Sequence, residues 1–198
     1  MPRPIAFVIV AVAIAFELSV VWFMLHPQVS PDYRAYYIAK TTTCLNQPVP
    51  GTYIIGTTVS FRSDGRESAM PLRVCGWEGP AGDGTHAVGE SSRLRFALPD
   101  AASGQLQLTL EVVAVEREGH PSQRIVLEAN GVPLGTATAM AGTPLTLDVP
   151  VPQEALAGEQ DALDIVMSFP DAIRMSPADS NTRYRSIKLI SARLATMP

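Results

Sequence analysis

The sequence has no run of lysine or arginine. Its 15 basic and 19 acidic residues leave a net charge of -4, so the footprint of a nucleic-acid binder is missing. Histidine is scarce: His26, His86 and His120 are scattered, and none has a companion at metal-ligand spacing. There is no GxSxG elbow, HExxH pair, P-loop or dinucleotide fingerprint. The Gly-rich stretch from Gly79 to Gly84 lies between strand signals with no helix after it, so it does not read as a phosphate cradle. These absences point to a protein that is not an enzyme and carries no cofactor. Cysteine is limited to Cys44 and Cys75, with no CxxC pair. In an oxidising compartment they would form a disulfide, which the chain-entropy model values at about 3–4 kcal/mol; otherwise they are two buried thiols. No helical period appears after residue 41, and no internal repeat is visible.

One long apolar run is present. Residues 5–25 read IAFVIVAVAIAFELSVVWFML, with Glu17 as the one charge. At about 1.5 Å per residue the run matches the roughly 30 Å hydrocarbon core of a bilayer. Arg3 precedes it and the next basic residue is Arg34, so the positive-inside tendency puts the N-terminus in the cytoplasm. Trp22 and Phe23 would meet the outer interface. A cleaved signal peptide is the rival reading, from Ala13-Ile14-Ala15, but the apolar run continues well past it. The expected organisation is a transmembrane anchor over residues 1–26, a linker with a short helix over 27–50, and a periplasmic β-sandwich over 51–198 of a bacterial inner-membrane protein. The anchor also favours the disulfide over free thiols.

A carboxylate within the membrane is expensive unless it is paired or protonated. Glu17 is read first as a contact for a partner helix, with Ala13 on its face and Ser19 flanking it. A tolerated, protonated side chain and a proton-transfer group are the alternatives. In the linker, Ser30-Pro31-Asp32 has the pattern of a helix start, and predicts a short helix from about Pro31 to Lys40. Tyr33, Tyr36 and Tyr37 can share one face of it. They would lie on lipid headgroups, pack on the chain's own domain, or contact a neighbouring subunit.

Beyond the linker, strand signals recur between Gly, Pro and Asp turns. Thr58 to Arg62 is short and follows Pro50-Gly51. Leu106, Leu108, Leu110, Val112 and Ala114 alternate with polar residues. Arg124 to Ala129 and Val132 to Thr138 flank Asn130-Gly131, a strong hairpin signal. Leu145 to Val149, Leu163 to Phe169 and Arg183 to Leu194 complete the set. With 17 prolines and 14 glycines, the pattern is all-β: two packed antiparallel sheets in a jelly-roll-like sandwich.

Gly76-Trp77-Glu78, Asn130-Gly131 and a Ser176-Pro177 segment leading to Arg183 and Arg185 carry a resemblance. Over residues 57–194 the chain resembles jelly-roll-like domains appended to bacterial membrane glycosyltransferases and envelope polysaccharide proteins. His86 stands where that pattern has a second Trp, and Asn181-Thr182 replaces its usual acidic residue. The resemblance implies a non-catalytic β-sandwich and, more weakly, sugar binding.

Several residues are candidates for a site. Trp77 either stacks on a sugar or plugs the core with its N–H on backbone, and the plug is preferred. Glu78 with Arg183 or Arg185 would form an ion pair tying the first and last strands. His86 with Asp83 and Glu78, or Asp161 with Asp164, would be metal sites, but nothing selects them over ordinary surface groups. The leading reading is an accessory subunit. Its helix packs on the helices of other membrane subunits, and its sandwich caps or bridges an energy-transducing or polysaccharide assembly. The alternative is a carbohydrate-binding module for envelope glycan synthesis. The expected partners are other membrane subunits, the lipid bilayer and glycan, not nucleic acid.

Overall fold

A computed structural model describes residues 3–26, 28–39, 44–45, 53–98, 104–157, 162–176 and 184–197. The turn at Pro50-Gly51, together with Lys40, Asp161, Pro177, Asn181, Thr182 and Arg183, lies outside them.

Helix α1, Arg3–Leu25, contains the apolar run. Its Phe7–Leu25 stretch has mean hydropathy 2.5, and none of that stretch is buried against the rest of the chain. The linker helix begins as expected. The Oγ of Ser30 accepts the backbone N–H of Tyr33 at 3.2 Å, and Pro31 opens α2, Pro31–Tyr33. The chain then widens into a π-turn over Arg34–Ile38, closed by Ala39 N–H donating to the Arg34 carbonyl at 2.8 Å. The expected uniform α-helix is therefore replaced after one turn by i→i+5 bonding.

The remaining described residues build two antiparallel sheets. One contains β1 (Thr58–Ser60), β3 (Thr85–Val88), β5 (Leu106–Ala114), β8 (Leu145–Val151), β10 (Ile173–Arg174) and β11 (Tyr184–Thr196). The long β11 organises it by pairing with β1, β3, β5 and β10. The other runs in the order β2 (Arg73–Cys75), β4 (Ser91–Ala97), β9 (Ala162–Ser168), β6 (Ser122–Ala129), β7 (Val132–Met140). The first strand is shorter than the expected 58–62. It stops at Ser60, and the chain turns through the 3₁₀ segment Ser63–Gly65 into helix α3, Arg66–Ala69.

Alternation decides which side chains meet between the sheets. Leu106, Leu108, Leu110 and Val112 of β5 are buried against the set from Leu94, Phe96, Ile125, Leu127, Leu163, Ile165 and Met167. Each such side chain contributes about 1.5–3 kcal/mol by leaving water. The hairpin of β6 and β7 turns on Asn130 (φ 46°) and Gly131 (φ 80°), the two positive φ values of a type I′ turn. The Asn130 side chain also fixes the turn to the start of β9: its Oδ1 accepts Asp164 N–H at 2.9 Å and its Nδ2 donates to the Ala155 carbonyl at 2.8 Å.

Candidate functional site

The segment from Cys75 to Val88 gathers most of the residues singled out by sequence. Cys44 and Cys75 are joined by a disulfide, with Cα atoms 4.7 Å apart, within the range a disulfide requires. The linker is thereby tied to the end of β2. Gly76 follows at φ +75°, and a Cβ there would sit 2.3 Å from the Ser91 carbonyl oxygen. Only glycine fits both the left-handed backbone and the close approach. Ser92 Oγ donates to the Gly76 carbonyl at 2.6 Å, and Val88 N–H reaches the same oxygen at 2.8 Å.

That turn sets the orientation of Trp77. Its Nε1–H donates to the Arg93 carbonyl at 2.9 Å, and its ring centroid lies 6.2 Å from that of Phe61. The ring is half-buried against the core and keeps part of its surface in solvent. The backbone-bonded N–H is the one expected of a core plug, whereas the ring is less buried than a plug needs to be.

Glu78 is the hub. Its backbone N–H donates to the His86 carbonyl at 3.0 Å, and its own carbonyl accepts Arg73 Nη1 at 2.6 Å. Its carboxylate forms an ion pair with Arg185 Nη2, whose side chain is 15% exposed against 31% for Glu78. The expected pair therefore forms with Arg185, and Arg183 lies outside the described residues. The pair ties β11 to the β2–β3 connection rather than to the first strand. Asp83 forms a second ion pair, with Lys188, which lies opposite His86 in the β3–β11 register.

His86 sits among these charges. Burial, then the neighbouring Lys188 and Arg185 cations, hold its pKa below the ordinary 6.5, with Glu78 and Asp83 opposing. Burial and the nearby Arg66 likewise lower the pKa of Arg73. The Lys188 hydrogen bond lowers that of Asp83. Three polar atoms at this site are buried without a partner: His86 Nδ1, Arg73 Nε and Arg185 Nη1. Chemically, the arrangement is an imidazole beside the Glu78–Arg185 and Asp83–Lys188 ion pairs, with the Arg73 guanidinium on the Glu78 backbone carbonyl. It lacks a paired nucleophile and base.

The metal candidates are not assembled. Among the described residues no three His, Cys, Asp or Glu side chains converge. Asp164 is held in a bidentate pair by Arg95 at 2.6 and 2.7 Å. Sequence reasoning passed over Arg73 and Lys188, which join the site through β-register, and nothing local in the sequence marks them. On α1, Glu17, Ala13 and Ser19 are all exposed, and Ser19 Oγ donates to its own helix at the Phe16 carbonyl, 2.7 Å away.

No family model matches the chain, and no curated protein matches it. Solved structures resemble it distantly. The CBM36-1 domain of a multidomain xylanase from the hindgut metagenome of Trinervitermes trinervoides is 16% identical, with 69% of this chain and 94% of that one covered and a TM-score of 0.38. The C-terminal CBM6 of LamC, a laminarinase of Zobellia galactanivorans, is 13% identical over 69% and 99%, TM-score 0.37. A family 6 carbohydrate-binding module is 12% identical over 76% and 100%, TM-score 0.40. Among the described residues the chain has two antiparallel sheets and one long apolar helix. The resemblance to membrane glycosyltransferase appendages has no counterpart in these comparisons beyond the sandwich.

Proposed function

We propose that the chain is a membrane-anchored, non-catalytic accessory module. In this reading α1 spans the bilayer of a bacterial inner membrane and holds the sandwich on its periplasmic side. The supporting observation is the bareness of α1. The 19 residues of α1 from Phe7 to Leu25 are left uncovered by the rest of the described chain. In water that much exposed apolar surface would be strongly unfavourable, and a lipid core removes the cost. The disulfide fits an oxidising compartment on the far side.

The sandwich then either caps a membrane assembly or holds a glycan. Glycan binding has one specific feature in its favour: Trp77 is only partly buried and lies beside the polar set of Arg73, Glu78 and Arg185. An aromatic face beside fixed hydrogen-bonding groups suits a saccharide. The solved structures above include carbohydrate-binding modules, but at such distance they bear on architecture rather than ligand. The scaffold reading rests on Glu17, whose carboxyl would bond a partner helix with about 1 kcal/mol.

The test uses the full chain in detergent with Trp22→Phe, which leaves Trp77 as the lone tryptophan. Titration with neutral and acidic envelope polysaccharides should give a saturable change in Trp77 emission. No change across the panel, with co-purifying membrane proteins lost on Glu17→Leu, would reverse the choice in favour of the scaffold.

A further inference from the structure

We infer that the short helix after the anchor, residues 31–38, is a docking element for the lipid headgroup layer, a second membrane contact distinct from the span. The inference rests on α1 crossing the bilayer as proposed above. It starts from an aromatic cluster that the sandwich leaves uncovered. Tyr33, Tyr37 and Ile38 are 44%, 51% and 49% exposed. Tyr33 and Tyr37 meet at a tilt of 39° with centroids 4.6 Å apart, and Tyr36 meets Tyr37 edge-on at 4.8 Å. The π-turn contributes here, because i→i+5 bonding brings positions 33, 37 and 38 to one side. The exposed Tyr33 and Tyr37 rings and Ile38, with the half-buried Tyr36 ring beside them, form an apolar face edged with hydroxyls. Tyrosine favours the membrane–water interface for this reason: the ring enters the acyl boundary while the hydroxyl stays among headgroups.

Chain length fixes which surface is within reach. Residues 26–30 separate the end of α1 from the start of α2. Fully extended, they span at most about 18 Å. The interfacial layer adds roughly 5–8 Å beyond the hydrocarbon core on each side. The actual tether is shorter than that limit, because His26 N–H still donates to the Trp22 carbonyl and the His26 ring stacks on Trp22 at 4.0 Å. Trp22 lies at the end of the span, where an aromatic belt belongs. The belt can therefore continue from Trp22 through Tyr33 to Tyr37, across a tether that keeps the helix within about 18 Å of the end of α1. The occupant of the tyrosine face is the interface of the same membrane that holds α1. The sandwich or a second copy of the chain would be a different occupant and would refute the inference.

The full chain in nanodiscs of phosphatidylethanolamine and phosphatidylglycerol tests it with two photoactivatable phospholipids, one reactive at the glycerol level and one at the acyl terminus. Adducts are mapped by mass spectrometry. The shallow probe should label residues 33–38 together with 22–26, and the deep probe only the middle of α1. Tyr33→Ser with Tyr37→Ser should abolish the shallow label on 33–38 and leave α1 labelling intact. Shallow labelling at 22–26 without any at 33–38 would overturn the docking element while leaving the span in place. Failure of the deep probe to label α1 would overturn both.

Discussion

The helix and the sandwich carry similar side chains under opposite conditions. Phe16 in α1 is 68% exposed, whereas Phe96 in β4 is fully buried, with the Tyr53 ring edge-on at 4.9 Å. The sandwich reaches its stability through intrachain burial, so each inward residue has a measurable value within the fold. Among the described residues nothing covers Phe7–Leu25 of α1, and in the proposed reading its apolar content is matched by the surrounding lipid. Apolar composition alone therefore does not define a core: period 2 does so in the strands, and unbroken length distinguishes the anchor.

The largest expected contrast follows directly. Phe96→Ala should destabilise the sandwich by about 3–5 kcal/mol, whereas Phe16→Ala should leave its thermal unfolding midpoint unchanged. Calorimetry of the full chain in detergent reads both. Equal effects would mean that α1 packs on the sandwich. A slightly smaller effect is expected from the disulfide. Its ends are 31 residues apart, so Cys44→Ser with Cys75→Ser should cost about 3–4 kcal/mol in denaturant unfolding. Thiol labelling of the denatured, unreduced wild type should find neither cysteine reactive.

Smaller again is the hairpin. Asn130→Ala puts an ordinary side chain at φ 46° and removes the bonds to Ala155 and Asp164, for an expected loss of about 1–2 kcal/mol. The smallest effect is the pH response of His86. Its folded pKa lies below 6.5, so the unfolded chain takes up the proton first. The contribution of His86 is fully present above pH about 6.5 and is lost as pH falls through the folded value. His86→Gln should flatten that limb of the stability curve, and an unaltered slope would assign it to other groups.

Much of the sandwich was legible in the sequence, for physical reasons. β5, β8 and β9 show plain alternation, and Asn130-Gly131 announces its own turn. The final strand was legible because β11 is long. Four strands were not picked out: β2, β3, β4 and the two-residue β10. The first two are three and four residues long, too short to show a period. In β4, Leu94 and Phe96 do alternate, but Arg93 and Arg95 on the other face give it the look of a loop. Gln123 breaks the pattern in the opposite sense, as a fully buried amide at an inward position of β6 with neither polar atom bonded. At the candidate site, the distinctive Gly-Trp-Glu triplet drew attention to Trp77 and Glu78, and Glu78 pairs with Arg185, one of the two arginines expected for it. Arg73 and Lys188 were not singled out, since only strand register brings them to Glu78 and Asp83.

The comparison rests on α1 being solvated by lipid. Membranes containing the full chain, washed with alkaline carbonate and separated by centrifugation, test that most directly. Retention of the intact chain in the pellet, as for an integral membrane protein, is the expected result. Release of the intact chain into the supernatant would contradict it, because a helix that spans the hydrocarbon core cannot be stripped by charge and pH alone.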